Sequence, residues 1–191
     1  MTTDDFKIIL IGSSTGALPV IEQLLNGIKR EFFSILIAQH MPESYTGMWA
    51  ERLNNHTPFD VMEGFEGAEI LPQKAFIAPG NRHMRVMYNS NTYKIAITDE
   101  PPVKRFKPSV DVLFSSVFGF EPSLFIPVIL TGMCDDGVDS IVDLHKKGFT
   151  TIAQNKETSV VYGMNKEAIE RGGIDMVFSP DEMVAYFNSL F

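Results

Sequence analysis

Gly12-Ser13-Ser14-Thr15-Gly16 sets an alcohol at the centre of a G-x-S-x-G pattern. Small flanking residues permit a sharp turn that exposes the central hydroxyl, which makes Ser14 a candidate nucleophile. The segment that follows has helical period. Free backbone N–H groups and the positive end of a helix dipole beside Ser14 suit an oxyanion forming in a tetrahedral intermediate. The same Gly- and Ser-rich turn also fits a phosphate cradle, or a tight turn with no ligand at all. From this loop alone the three readings stay open.

His40 strengthens the first of them. It follows Ser34-Ile35-Leu36-Ile37-Ala38-Gln39 directly, which places an imidazole at the carboxyl end of a second apolar run. In open parallel sheets ligands bind at that edge. A third apolar run, through Ile129 and Leu130, ends in Thr131-Gly132-Met133-Cys134-Asp135-Asp136-Gly137. One carboxylate from this loop, bonded to the imidazole, would fix its tautomer and stabilise the imidazolium; acids at the start of a helix also simply favour its dipole. An alcohol, an imidazole and a carboxylate together form the set for nucleophilic acyl transfer. The chain order Ser, His, Asp differs from that of the α/β-hydrolases, whose histidine comes last, so that family is rejected. Of the other histidines, His56 lies in the polar stretch Asn54 to Pro58, His145 falls in a last helical turn, and His83 is placed to line a site edge.

The elements that position these residues follow from periodicity. Phe6 to Ile11 reads as a strand and Ala17 to Ile28 as a helix whose Leu18, Ile21, Leu24 and Leu25 share a face. The pairing recurs with Phe32 to Ala38 before a helix from about Ser44 to Leu53, and with Leu124 to Leu130 before a helix striped by Val138, Ile141, Val142 and His145. Strands are also read at Thr150 to Ala153 and Met176 to Phe178. The last precedes Ser179-Pro180-Asp181-Glu182, a capping-box start with Pro at the first helical position. Strands apolar throughout, alternating with helices, predict an α/β fold: a doubly wound, mostly parallel sheet covered on both faces. Ala75 to Ile77, Met84 to Tyr88 and Tyr93 to Ile97 alternate instead around Asn89-Ser90-Asn91-Thr92 and read as an antiparallel hairpin. Ser109 is placed to cap a helix through Val110, Leu113 and Val117. No repeat or flexible linker divides residues 1–191, so one domain is expected.

Composition narrows the class. A net charge of −8 argues against a nucleic-acid groove or an anionic-lipid surface, both of which need clustered Lys and Arg. The one cysteine, Cys134, leaves no internal disulfide and no cysteine metal cluster. Met1-Thr2-Thr3-Asp4-Asp5 lacks the basic stretch of a secretion signal, and no apolar run reaches membrane-spanning length. A cytoplasmic protein without membrane insertion is the simplest expectation.

Ile11 to Gly16, Ala38-Gln39-His40-Met41-Pro42 and Ile129 to Gly137 resemble the three signature stretches of CheB-type chemotaxis methylesterases, which demethylate receptor glutamates. Phe76 to His83, Pro108 to Phe114, Thr151 to Gln154 and Tyr162-Gly163-Met164 extend the resemblance collinearly over nearly the whole chain. The resemblance implies a triad of Ser14 as nucleophile, His40 as base and Asp136 as the residue orienting the base. It implies hydrolysis of glutamate γ-methyl esters on the cytoplasmic helices of methyl-accepting chemotaxis receptors, glutamine deamidation by the same machinery, and no metal or organic cofactor. The oxyanion would be held by amides at the turn, Thr15 and Gly16, and around Met133.

The sequence departs from the family pattern at Ala17 and Cys134, where glycines are usual, at Asp135, commonly Asn, and at Phe106-Lys107, where a His-Arg pair is usual. Few residues precede the first strand, so control by an amino-terminal receiver in the same chain is not expected; a regulatory partner in trans stays open. Two rivals remain: a flavodoxin-like phosphate-binding module without turnover, and an esterase of the same chemistry acting on a target other than a receptor.

Overall fold

A computed structural model describes residues 6–191; the expectation drawn from Met1 to Asp5 lies outside them. In chain order the elements are β1 (Lys7–Ser13), α1 (Leu18–Gly27), β2 (Phe33–Gln39), α2 (Glu43–His56), β3 (Asp60–Glu63), β4 (Lys74–Ile77), β5 (His83–Asn89), β6 (Thr92–Thr98), α3 (Val110–Ser115), β7 (Phe125–Ile129), α4 (Val138–Lys146), β8 (Ile152–Gln154), α5 (Met164–Glu170), β9 (Met176–Phe178) and α6 (Pro180–Asn188). Seven strands form one sheet in the order β3-β4-β2-β1-β7-β8-β9, with every neighbouring pair parallel. This is the doubly wound fold read from the alternating apolar runs.

Side-chain alternation along the central strand builds the two faces. Ile9 and Ile11 point into one core with Ile35 and Ile37 of β2, Ile21 and Leu24 of α1, Trp49 and Leu53 of α2, and Met183 and Phe187 of α6. Ile8 and Leu10 point into the other, with Leu113 of α3, Val138 and Ile141 of α4, and Met84 and Ile95 of the β5–β6 hairpin. A strand buried on both faces has no polar alternation to show, which is why β1, β2 and β7 read as continuous apolar runs.

Local signals act where they are placed. The Ser179 hydroxyl accepts from the Glu182 amide, and the Glu182 carboxylate accepts from the Ser179 amide at 2.7 Å, completing the capping box of α6. Ser90 and Asn91 adopt left-handed φ of 53° and 61°, the geometry a two-residue hairpin turn between β5 and β6 requires.

Three details differ from expectation. Ala75 to Ile77 does not belong with the hairpin: β4 lies within the main sheet, parallel to β2 and β3, and its Ala75, Phe76 and Ile77 are all buried. Three residues are too short a run to distinguish one buried face from two. Helix α2 continues through Asn54 and Asn55 to His56 and stops at Thr57, where the following Pro58 disfavours another helical residue. Strand β3 and helix α5 had no periodic signal, because β3 is a four-residue edge strand and α5 buries only Met164, Asn165 and Ala168.

Candidate active site

Strand order reverses at β1, with β2 on one side and β7 on the other, which makes its carboxyl end the topological switch point where ligands bind in such sheets. Register does the rest. Ser13 pairs with Gln39, so the next residues, Ser14 and His40, leave neighbouring strands side by side. The His40 amide donates to the Ser13 carbonyl at 3.2 Å, and the Ser14 amide donates to the Thr131 carbonyl at 3.1 Å. Gln39 ties the two strand ends together. Its buried amide oxygen accepts from the Ser13 hydroxyl at 2.7 Å, and its nitrogen donates to the carbonyls of Ser14 and His40.

His40 Nε2 lies 2.7 Å from Asp136 Oδ2. Asp136 is fully buried, and its carboxylate gathers three further donors: the Ser109 hydroxyl at 2.7 Å, the Val110 amide at 2.7 Å and the Asp111 amide at 3.1 Å. Burial pushes this carboxyl up, but the bonds from His40, Ser109, Val110 and Asp111 outweigh it and hold the group below the ordinary carboxylate value. An anion fixed in this way orients an imidazole by accepting one ring proton, which leaves Nδ1 as the basic nitrogen. Asp135 is different: it is exposed, and its carboxylate reaches Lys104 at 3.6 Å rather than His40. Geometry therefore separates two adjacent carboxylates that residue type and spacing left open, and it pairs the imidazole with Asp136, the one the resemblance implies.

The Ser14 side chain is half-buried, and among the described residues no hydrogen bond joins it to His40. Such contacts commonly tighten only when substrate is present. Nδ1 instead faces the Cys134 sulfur at 3.8 Å. Burial pushes that thiol up to about 11, so at neutral pH it stays protonated. Ala17 is buried in the core beside the turn.

The amides of Thr15, Gly16 and Met133 find no acceptor among the described residues. Gly16 holds a left-handed φ of +85°, which turns the chain into α1. Gly132 is required for closeness. A Cβ there would stand 2.2 Å from Met164 Sδ and 2.8 Å from Ser14 Cβ. We expect Gly132→Ala to lose about 1–3 kcal/mol by overpacking, read as a lower Tm, and to slow any reaction of Ser14 by displacing it; an unchanged Tm would show that Met164 yields freely.

His83 does not line the site. It is buried, donating from Nε2 to the Pro101 carbonyl at 3.1 Å and accepting at Nδ1 from the Ser109 amide at 3.2 Å. It thus supports Ser109, which in turn supports Asp136. His56 donates from Nδ1 to the Arg52 carbonyl, and His145 pairs with Asp175 at 3.3 Å. Burial lowers the His83 pKa from 6.5, so the unfolded chain takes up a proton below pH 6.5 that the folded chain resists. Asp136 is lowered from 3.8, so its contribution is complete above that value and is lost as pH falls further. Both signs agree. We expect Tm to fall on acidification in two stages, first below pH 6.5 and again below 3.8; a Tm constant from pH 7 to 5 would contradict the first.

Reasoning from sequence overlooked the supporting residues Ser13, Gln39, Thr131 and Gln154. Thr131 Oγ1 bonds the Thr15 and Val161 carbonyls, and Gln154 Oε1 accepts from the Thr131 amide at 2.9 Å. The available signal was a polar residue at the end of each apolar run, where burial demands partners. Among the described residues, no group of three or more His, Cys, Asp or Glu side chains is arranged to hold a metal ion, and no helix is long and apolar enough to cross a membrane. A surface cavity of about 200 Å³ lies at the opposite end of β1, lined by Phe6, Ile70 and Tyr93, away from Ser14.

A family model described as CheB methylesterase matches residues 9–187. The chain belongs to the CheB methylesterase family. The protein-glutamate methylesterase/protein-glutamine glutaminase 2 of Dechloromonas aromatica is 42% identical over 192 residues, covering 98% of this chain and 53% of that one. The enzyme of the same name from Chromobacterium violaceum is 44% identical over 179 residues, covering 94% and 50%. The chain thus spans about half the length of the curated relatives it matches. The crystal structure of the Thermotoga maritima CheB methylesterase catalytic domain superposes with a TM-score of 0.92 at 32% identity, over 97% of this chain and 99% of that one.

Proposed function

We propose that this chain is a catalytic domain that hydrolyses glutamate γ-methyl esters on chemoreceptor helices, with Ser14 as nucleophile, His40 as base and Asp136 as the residue orienting the base. The observation that carries the reading is the pairing of His40 with the buried Asp136 beside Ser14 at the carboxyl end of the sheet. The names of the relatives supply the substrate: protein glutamate esters and, by the same chemistry, protein glutamine amides.

In this reading His40 Nδ1 takes the Ser14 proton as Oγ attacks the γ-carbonyl, and the oxyanion settles among the amides of Thr15, Gly16 and Met133. His40 returns the proton to the departing methanol, or ammonia from glutamine. Water then attacks the glutamyl-enzyme with His40 again as base, and the carboxylate and Ser14 are restored. Met133 and Val160 are 76% and 71% exposed, and Val160 packs beside Gly16, so apolar side chains rim the turn where a substrate helix would lie. The phosphate-module rival fits less well, because it gives the pairing of His40 with Asp136 no role.

Methanol release from methylated receptor cytoplasmic fragments tests the proposal. We expect release that depends on Ser14. A protein whose Ser14 reacts with a fluorophosphonate, but which frees no methanol from receptors, would move the target elsewhere.

A further inference from the structure

Between β6 and α3 the chain makes a tight turn over the site. Val103 and Phe106 exchange both backbone hydrogen bonds, at 3.1 and 2.8 Å, around Lys104 and Arg105, whose φ values of 47° and 75° are left-handed. Long side chains disfavour that region, and neither Lys nor Arg has the short polar side chain that lets Asn adopt it, so this turn gains from outside support. Lys104 provides it. Its ammonium lies 2.6 Å from Asp139, 3.1 Å from Asp111 and 3.6 Å from Asp135, and donates to the Asp135 carbonyl at 2.8 Å. Burial lowers the pKa of this ammonium, but the bonds to Asp139 and Asp111 and the charge of Asp135 more than reverse the shift, so it stays charged. At the end of the turn the Phe106 ring lies on the His40 imidazole, centroids 3.8 Å apart and planes within 10°.

We propose that the turn Val103–Phe106 is a strap, fastened by Lys104 to Asp111, Asp135 and Asp139, and that Phe106 is a positioning residue for His40. The inference rests on the reading of Ser14 and His40 as nucleophile and base. Asp136 grips His40 at Nε2 alone, and one bond to one ring nitrogen does not by itself fix the plane of the ring. The stacked phenyl fixes the plane in which Nδ1 points and shields one face from water. When the imidazole becomes imidazolium, the π face of Phe106 stabilises the positive charge. The strap therefore favours the protonated base that forms as Ser14 attacks.

A fluorophosphonate probe reads the base through Ser14 whatever the natural target is. In Phe106→Leu we expect the maximal labelling rate constant to fall by about 2- to 30-fold, with the half-saturating probe concentration unchanged. Phe106→Tyr keeps the flat ring and should restore labelling, and Lys104→Met should slow it in the same direction as Phe106→Leu. The His40 imidazole proton resonances, displaced upfield by the overlying ring, should move downfield in Phe106→Leu. Labelling of Phe106→Leu at the wild-type rate, an unmoved imidazole resonance, or a loss confined to the half-saturating concentration would overturn the proposal. A wild type that does not label overturns the Ser14 reading and this inference together, whereas a labelling wild type with an indifferent Phe106→Leu overturns the inference alone.

Discussion

Ser14→Ala is expected to fold normally and to release no measurable methanol from methylated receptor. Ser14 is half-buried and, among the described residues, its hydroxyl makes no hydrogen bond, so its removal strands no buried partner. A change of this kind alters stability by no more than about 0.5 kcal/mol. The chemical effect is of another order. Without the nucleophile no glutamyl-enzyme forms, and loss of the attacking serine from such a triad costs about 10⁶-fold in kcat. Thermal melts and a methanol assay on the same preparation separate the two effects. A variant that melted normally and turned over normally would remove Ser14 from the mechanism.

Asp136→Asn should reduce turnover by about 10⁴-fold, the scale of tautomer loss in a related arrangement. Each Asp136 oxygen accepts two donors: Oδ2 from His40 Nε2 and the Val110 amide, Oδ1 from the Ser109 hydroxyl and the Asp111 amide. An amide nitrogen in either place confronts donors with a donor. Facing His40, it would draw the ring proton to Nδ1, the nitrogen that must accept from Ser14. The variant should also lose about 1–3 kcal/mol of stability through the donors left without an acceptor. Asp135→Asn provides the comparison, since that carboxylate is exposed and reaches Lys104 at 3.6 Å rather than His40, so its loss should slow turnover no more than a loosened strap does. Equal damage from the two substitutions would mean that general disturbance of the loop, and not the His40 contact, governs activity.

The fold was legible where burial is two-sided. Phe6 to Ile11, Phe32 to Ala38 and Leu124 to Leu130 are apolar save for Lys7 and Ser34, and each overlaps a strand of the central sheet. It was illegible where an element is short. Ala75 to Ile77 was grouped with the hairpin because three residues do not reveal which neighbours they pair with. The histidines show the same limit at the level of side chains. His40 follows one strand and His83 opens another, and residue type alone does not separate them, yet His83 is consumed by Pro101 and Ser109 while His40 meets Asp136 and Phe106.

The sequence by itself determined the parallel sheet, the helices that cover it and the strand ends that bear Ser14, His40 and the pair Asp135-Asp136. Periodicity and residue type are local properties, and they suffice for that much. Tertiary structure alone decided which ring nitrogen the Asp136 carboxylate takes, and that Lys104 and Phe106 close over His40. Those outcomes depend on the register of β1 with β2 and on the packing of α3 against α4, which join residues as far apart as 40 and 136. Hydrogen bonds act over about 3 Å, and no pattern along the chain specifies separation in space that finely.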